Sequence, residues 1–139
     1  MLWDKSMESG ITVIDYEHQE LVAQLEKLTN ATTPEQARKT LDFLQEYVVK
    51  HFAHEQVLHR RVQYPHADAH RQSHQDFIQR VQELDREYGE SGNTAAALQK
   101  ISAVLTDWLR NHILGEDKEF AEFYMERKRS SESAAFPFK

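Results

Sequence analysis

The stretch TPEQARKTLDFLQEYVVKHFAHEQVLHRRVQYP, residues 33–65, reads as one helix whose buried face changes chemistry partway along. Thr33 is placed to cap it, Pro34 suits the first helical position, and Gln36 closes a capping box. Leu41, Leu44 and Val48 recur at helical spacing. The same stripe then continues with His51 and Glu55 before returning to Leu58 and Val62. Tyr64-Pro65 ends the segment, because proline disfavours helical geometry in the residue before it.

Three further segments repeat this pattern. From Asp15, the expected N-cap, His18, Leu21, Val22, Leu25 and Leu28 follow a helical stripe. From about Ala67 to Tyr88 the stripe is His70, His74, Phe77, Val81, Leu84 and Tyr88, with Gly89 expected to stop it. Ser91-Gly92-Asn93 reads as a turn and Asn93 or Thr94 as a cap. Leu98, Ile101, Leu105, Trp108 and His112 then form the fourth stripe. Upstream, the segment through Ile14 shows no helical period and is expected to be an extended arm, with Trp3 packing on the helices. Downstream, Asp117 to about Lys128 is expected to be a short helix anchored by Phe120, Phe123 and Tyr124. The expected fold is all-α: an antiparallel up-down-up-down four-helix bundle with an N-terminal extended arm and a short C-terminal helix. One domain over residues 1–129 is expected, with residues 130–139 a flexible C-terminal tail.

Composition narrows the chemistry. The chain has no cysteine, which excludes disulfides, zinc-thiolate sites and iron–sulfur clusters. A formal charge of -6 argues against nucleic acid as a partner, since phosphate binding wants a basic face. The one basic cluster, Arg127-Lys128-Arg129, reads as a solvated helix end. The start, Met1-Leu2-Trp3-Asp4-Lys5, lacks the pattern of a secretory signal. No stretch has the roughly 20 apolar residues of a membrane span. A cytoplasmic monomer with no membrane contact is expected.

In a bundle all four stripes face one axis, so their polar members converge. Helical residues four apart stack with Cβ atoms about 5–6 Å apart, which lets His51 act with Glu55 and His70 with His74. His112 and Asp117 are five apart, a rotation of about 140° away on an ideal helix. They converge only if the helix breaks or kinks around Leu114-Gly115, where glycine supplies irregular backbone at little cost. Each group alone has an ordinary reading as a surface or core polar residue. Together, five imidazoles and two carboxylates in a core would cost several kcal/mol for each unpaired charge. Metal binding resolves that penalty. Imidazole and carboxylate without thiolate suit iron, manganese or zinc. Seven donors exceed the four that one zinc takes and suit two six-coordinate ions. If both carboxylates and a solvent-derived oxygen bridge, three histidines complete one ion and two leave the other one position short.

These residues resemble the haemerythrins, especially the short bacteriohaemerythrins, over roughly residues 3–125. The resemblance is carried by Trp3, Ile14-Asp15-Tyr16-Glu17-His18, His51-Phe52-Ala53-His54-Glu55, Tyr64-Pro65, His70-Arg71-Gln72-Ser73-His74, and Trp108-Leu109-Arg110-Asn111-His112 through Asp117. It implies two iron ions (Fe2+/Fe3+) with an oxo or hydroxo bridge. His70, His74 and His112 would hold the saturated iron, His18 and His51 the iron with the open position, and Glu55 and Asp117 would bridge. It also implies reversible binding of dioxygen by a carrier, store or sensor that is not an enzyme. Leu21, Phe52, Trp108, Leu109 and Ile113 would line the oxygen pocket.

Three departures stand out. Glu17 replaces a usual glutamine and is expected to face solvent, and Gln56 replaces a usual glutamate. His59 stands where many bacterial members carry methionine. An imidazole there is a candidate extra ligand or a group packed behind the ligands: it could enter the open position, hydrogen-bond the bound gas or speed autoxidation, or it could simply point along the bundle end. The alternative function is therefore a diiron oxidoreductase, or a redox or nitric-oxide sensor, with nitric oxide or peroxide as the ligand. Against it, the chain lacks the Glu-x-x-His pairs of the carboxylate-rich diiron proteins. His54 and His66 are expected to be exposed.

Overall fold

The computed structural model describes residues 3–90 and 95–135, the last five and Ala95 as backbone only. Among them lie five α-helices: α1 (Thr12–Thr29), α2 (Pro34–Val62), α3 (Ala67–Glu90), α4 (Ala95–His112) and α5 (Lys118–Ala135). Residues Ile113–Asp117 wind as a π turn that joins α4 to α5. α1 packs on α2 and α4, and α3 packs on the same two helices, so the four close into a bundle. The connections at residues 30–33 and 63–66 have the shortness expected of antiparallel neighbours. No helix among the described residues is long and apolar enough to cross a membrane.

The helix ends follow local chemistry. Thr33 accepts a hydrogen bond from the Gln36 backbone amide. The side-chain oxygen of Gln36 reaches back to the amide and hydroxyl of Thr32, one residue earlier than a standard capping box. α2 stops at Val62, and Gln63 takes the left-handed conformation at φ 54° ahead of Tyr64-Pro65. At the far end Arg38 ties Asp42 to Asp85 of α3, and Gln45 donates to Asp85 at 3.0 Å.

Several boundaries differ from the sequence expectations. α1 begins at Thr12, not after Ile14, and the alternation of Ile11 and Val13 misleads there. Ile11 and Ile14, three apart, are both buried, whereas Val13 is 47% exposed. Asp15 is not the N-cap. It lies inside the first turn, where Oδ1 accepts from the amide and hydroxyl of Ser9 and Oδ2 from the amide of Gly10. Its role is to fasten the arm, which carries a single 3-10 turn at Lys5–Met7 among its described residues. α3 runs through Gly89 to Glu90. The expected caps at Asn93 and Thr94 lie outside the described residues. α5 continues past Lys128 to Ala135, and so takes in the first residues of the expected tail.

The core is split in two. One apolar cluster includes Leu21, Leu25, Val48, Phe52, Phe77, Leu105 and Ile113. The other includes Ile14, Leu58, Val62, Tyr64 and Phe120. Each of the four stripes passes from one cluster to the other through polar residues: Ile14 to Leu21 across His18, Phe52 to Leu58 across Glu55, Ala67 to Phe77 across His70 and His74, Ile113 to Phe120 across Asp117. The result is a buried polar layer between two apolar ones.

The expected break between His112 and Asp117 takes the form of the π turn. Closing five residues instead of four per hydrogen-bonded turn returns Asp117 to the face of His112. Glycine is not what permits it. Gly115 has no positive φ, and a Cβ there would meet nothing within 4 Å. Gly115→Ala is therefore expected to raise stability by about 0.5–1 kcal/mol and leave metal uptake intact. Lost uptake in a folded variant would show that the turn depends on glycine.

Candidate metal centre

The four helices and the π turn bring all seven expected residues together. His18 comes from α1, His51 and Glu55 from α2, His70 and His74 from α3, His112 from the end of α4 and Asp117 from the turn. All seven are buried. They form two groups that share both carboxylates: Glu55, His70, His74, His112 and Asp117; and His18, His51, Glu55 and Asp117.

Each carboxylate presents one oxygen to each group. Glu55 Oε1 lies 2.9 Å from His70 Nε2 and 3.4 Å from His74 Nε2, while Oε2 lies 3.0 Å from His51 Nε2. Asp117 Oδ1 lies 2.9 Å from His70 Nε2 and 3.1 Å from His112 Nε2, while Oδ2 lies 2.9 Å from His18 Nε2. The Nε2 atom of His112 is 3.0 Å from that of His70 and 3.2 Å from that of His74. Nitrogens facing one another this closely need either a hydrogen shared between them or a cation bound by both. Donors on adjacent corners of an octahedron with bonds of about 2.1 Å stand about 3.0 Å apart. The spacing therefore suits metal ions. So do the unpartnered atoms: both Glu55 oxygens, Asp117 Oδ2, both His18 nitrogens and His51 Nε2 make no hydrogen bond.

Residues 9–124 match the family model described as "Hemerythrin HHE cation binding domain". The chain belongs to the haemerythrin family. It is 31% identical over 125 residues to a bacteriohaemerythrin of Stenotrophomonas maltophilia (strain R551-3), a match covering 88% of this chain and 80% of that one. It is 25% identical over 118 residues to a myohaemerythrin of Theromyzon tessulatum, covering 85% of this chain and 88% of that one. Among solved structures, wild-type haemerythrin shares the fold with a TM-score of 0.78 at 24% identity, over 89% of this chain and 97% of that one. Haemerythrins are typically non-haem diiron proteins that bind oxygen.

Electrostatics in this haemerythrin centre are dominated by burial and by the contacts that offset it. Burial and mutual repulsion push the Glu55 carboxyl up, but His51, His70 and His74 hold it well below the usual range. Burial also opposes ionisation of Asp117, which the charges of His112 and His18 outweigh. Burial disfavours the imidazolium forms. Even so, Glu17 and Glu55 raise His51 to about 9, Asp117 and Glu55 raise His70 to about 9, and Asp117 raises His112 to about 10. His74 is lowered, chiefly by burial.

The residues expected to form the apolar lining lie in or against one apolar cluster, and two of them, Phe52 and Trp108, meet the histidines. Leu21, Phe52, Leu109 and Ile113 are buried and Trp108 is half-buried. Phe52 lies flat on His74 with ring centroids 3.7 Å apart, and Trp108 stacks on His112 at 4.4 Å.

Glu17 corrects the expectation that it faces solvent. It is 7% exposed, with Oε1 3.1 Å from His51 Nδ1 and Oε2 2.6 Å from His54 Nδ1. Its position beside His18 gave no sign of this, because its partners lie on α2. Glu116 was also missed, although it stands four residues after His112. Its Oε1 lies 3.3 Å from His112 Nδ1 and accepts the Ser73 hydroxyl at 2.7 Å. His54 and His66 have exposed side chains, as expected.

His59 is buried beside the three-histidine group. Its ring lies 4.6 Å from that of His70, 4.4 Å from Phe120 and 5.3 Å from Tyr64, and it belongs to neither metal-capable group. An imidazole beside His70 stands with the three-histidine group, not with His18 and His51. Neither ring nitrogen has a partner. Burial, reinforced by His70, lowers its pKa to about 4, so the ring is neutral.

Two outcomes follow. In metal-free protein at pH 7, His51, His70 and His112 hold protons that metal must displace. Their folded pKa values exceed the unfolded value of about 6.5. The stability they contribute is thus complete below that value and fades as pH rises through 9 to 10. Calorimetry of metal loading in buffers of different ionisation enthalpy should show proton release at pH 7 that declines as pH rises through 9 to 10; loading at pH 7 without release would contradict these charges. Separately, His59→Met removes two unpartnered buried nitrogens and should stabilise the protein by about 1–3 kcal/mol in denaturant unfolding. A destabilised variant would mean that His59 has a partner in solution.

Proposed function

We propose that this chain is a dioxygen-binding haemerythrin in which His18, His51, Glu55, His70, His74, His112 and Asp117 hold two iron ions. The observation that carries the reading is the division of the donors into a three-histidine and a two-histidine group sharing both carboxylates. His70, His74 and His112 with the two carboxylates and a solvent-derived bridge supply six donors to one ion. His18 and His51 with the same bridges would supply five to the other, leaving a position for a diatomic ligand. The bound ferrous pair would supply the two electrons that reversible dioxygen binding requires.

The protein's own residues do the rest. Glu55 and Asp117 each turn one oxygen to either side, and so hold the two positions at a fixed separation. The rings of Phe52 and Trp108 cover His74 and His112, and Leu21, Leu109 and Ile113 fill the adjoining core. This lining supports reversible binding, because it keeps water and reductants from the centre. The predominance of imidazole over carboxylate supports binding over oxygen activation. His59 lies beside His70, which leaves the position next to His18 and His51 free for the gas.

The test is an optical titration of the anaerobic ferrous protein. A visible absorption should appear when oxygen is admitted and vanish when it is removed under argon, over repeated cycles. Immediate and irreversible conversion to the ferric form would overturn the carrier reading in favour of an oxidoreductase or redox sensor.

A further inference from the structure

Glu17 joins a buried histidine to a surface one. Because a carboxylate only accepts hydrogen bonds, the Nδ1–H groups of His51 and His54 both donate to it, at 3.1 and 2.6 Å. That leaves Nε2, the atom 3.0 Å from Glu55 Oε2, as the nitrogen His51 would offer to a metal once its proton is displaced. His54 is the outer end, with a side chain 56% exposed, and Glu17 between them has one 9% exposed. A carboxylate this buried keeps its place because both oxygens are used.

Of the other four imidazoles, three lack a carboxylate there and one meets a more distant and more exposed one. The Nδ1 atoms of His18, His70 and His74 have no partner. That of His112 faces only the half-buried Glu116, at 3.3 Å and outside hydrogen-bonding geometry. A hydrogen bond from Nδ1–H to a carboxylate makes an imidazole a more basic ligand and fixes its ring. The added negative charge also favours the more oxidised of two metal states. Within the two-histidine group, His51 therefore has a buried carboxylate behind it and His18 has none.

We propose that Glu17, held in place by His54, is a positioning residue that fixes His51 as an Nε2 ligand and strengthens its donation to the two-histidine iron, lowering the reduction potential of the pair. The inference rests on the reading of His51 as an iron ligand.

The experiment compares wild type with Glu17→Gln, His54→Ala and His54→Gln, each loaded anaerobically with ferrous iron. Affinity is measured by chelator competition, and the midpoint potential by spectroelectrochemistry at fixed pH. Wild type should take up two irons. Glu17→Gln keeps the shape and an acceptor oxygen but removes the charge; it should bind the weaker iron 10–100-fold less tightly and shift the potential upward. His54→Ala, at an exposed position that the fold does not need, should move both readouts in the same direction by less. His54→Gln, whose amide can still donate to Glu17, should stay near wild type. Affinity within about threefold of wild type and an unchanged potential in Glu17→Gln would overturn the inference. A normal His54→Ala beside an altered Glu17→Gln would overturn the role of His54. A wild type that takes up no iron would instead overturn the reading of the centre itself.

Discussion

Two carboxylates buried among the same five imidazoles are the constraint on which the rest of the structure depends. Glu55 and Asp117 are 0% and 2% exposed, and charges so deep in a protein are tolerated only when fully compensated. Here compensation comes from donors on four helices, so none of the four can shift without exposing a charge to an apolar wall. The two apolar clusters on either side of the polar layer hold the helices together. The polar layer sets how they are aligned. The π turn belongs to the same logic, since it spends one extra residue to return Asp117 to the face of His112.

Most of this arrangement was legible in the sequence. The stripes of α2, α3 and α4 carry histidine where leucine would otherwise stand, so the same positions that mark the buried face also mark the donors. Thr33-Pro34 and Tyr64-Pro65 bracket α2 through plain backbone chemistry. What stayed hidden depends on partners far away in the chain. The start of α1 was obscured because Asp15 looks like a cap, whereas its carboxylate is engaged with Ser9 and Gly10. Glu17 stands at the edge of the buried stripe of its own helix, three after Ile14 and four before Leu21, but its polar partners, His51 and His54, lie on α2. His59 could be placed one turn beyond Glu55, but which half of the centre it meets depends on the packing of α3 and α5 around it.

The two halves of the centre are surrounded differently. The three-histidine half is walled by rings: Phe52 on His74, Trp108 on His112, and His59 with Phe120 behind His70. The two-histidine half has Trp3 of the arm near His18, with ring centroids 6.4 Å apart, and Glu17 behind His51. A rigid aromatic surround suits a position whose ligands do not change. A half braced by a single carboxylate suits one whose ligand comes and goes. His59 therefore falls on the three-histidine side, and Glu17 on the two-histidine side.

The most direct test of the central claim is a crystal structure of the iron-loaded protein with anomalous scattering recorded at the iron edge. Two iron peaks are expected within the bundle, one bonded to His70, His74 and His112, the other to His18 and His51, with Glu55 and Asp117 bonded to both. A single peak, or iron held by His59 or by residues outside these seven, would contradict the account.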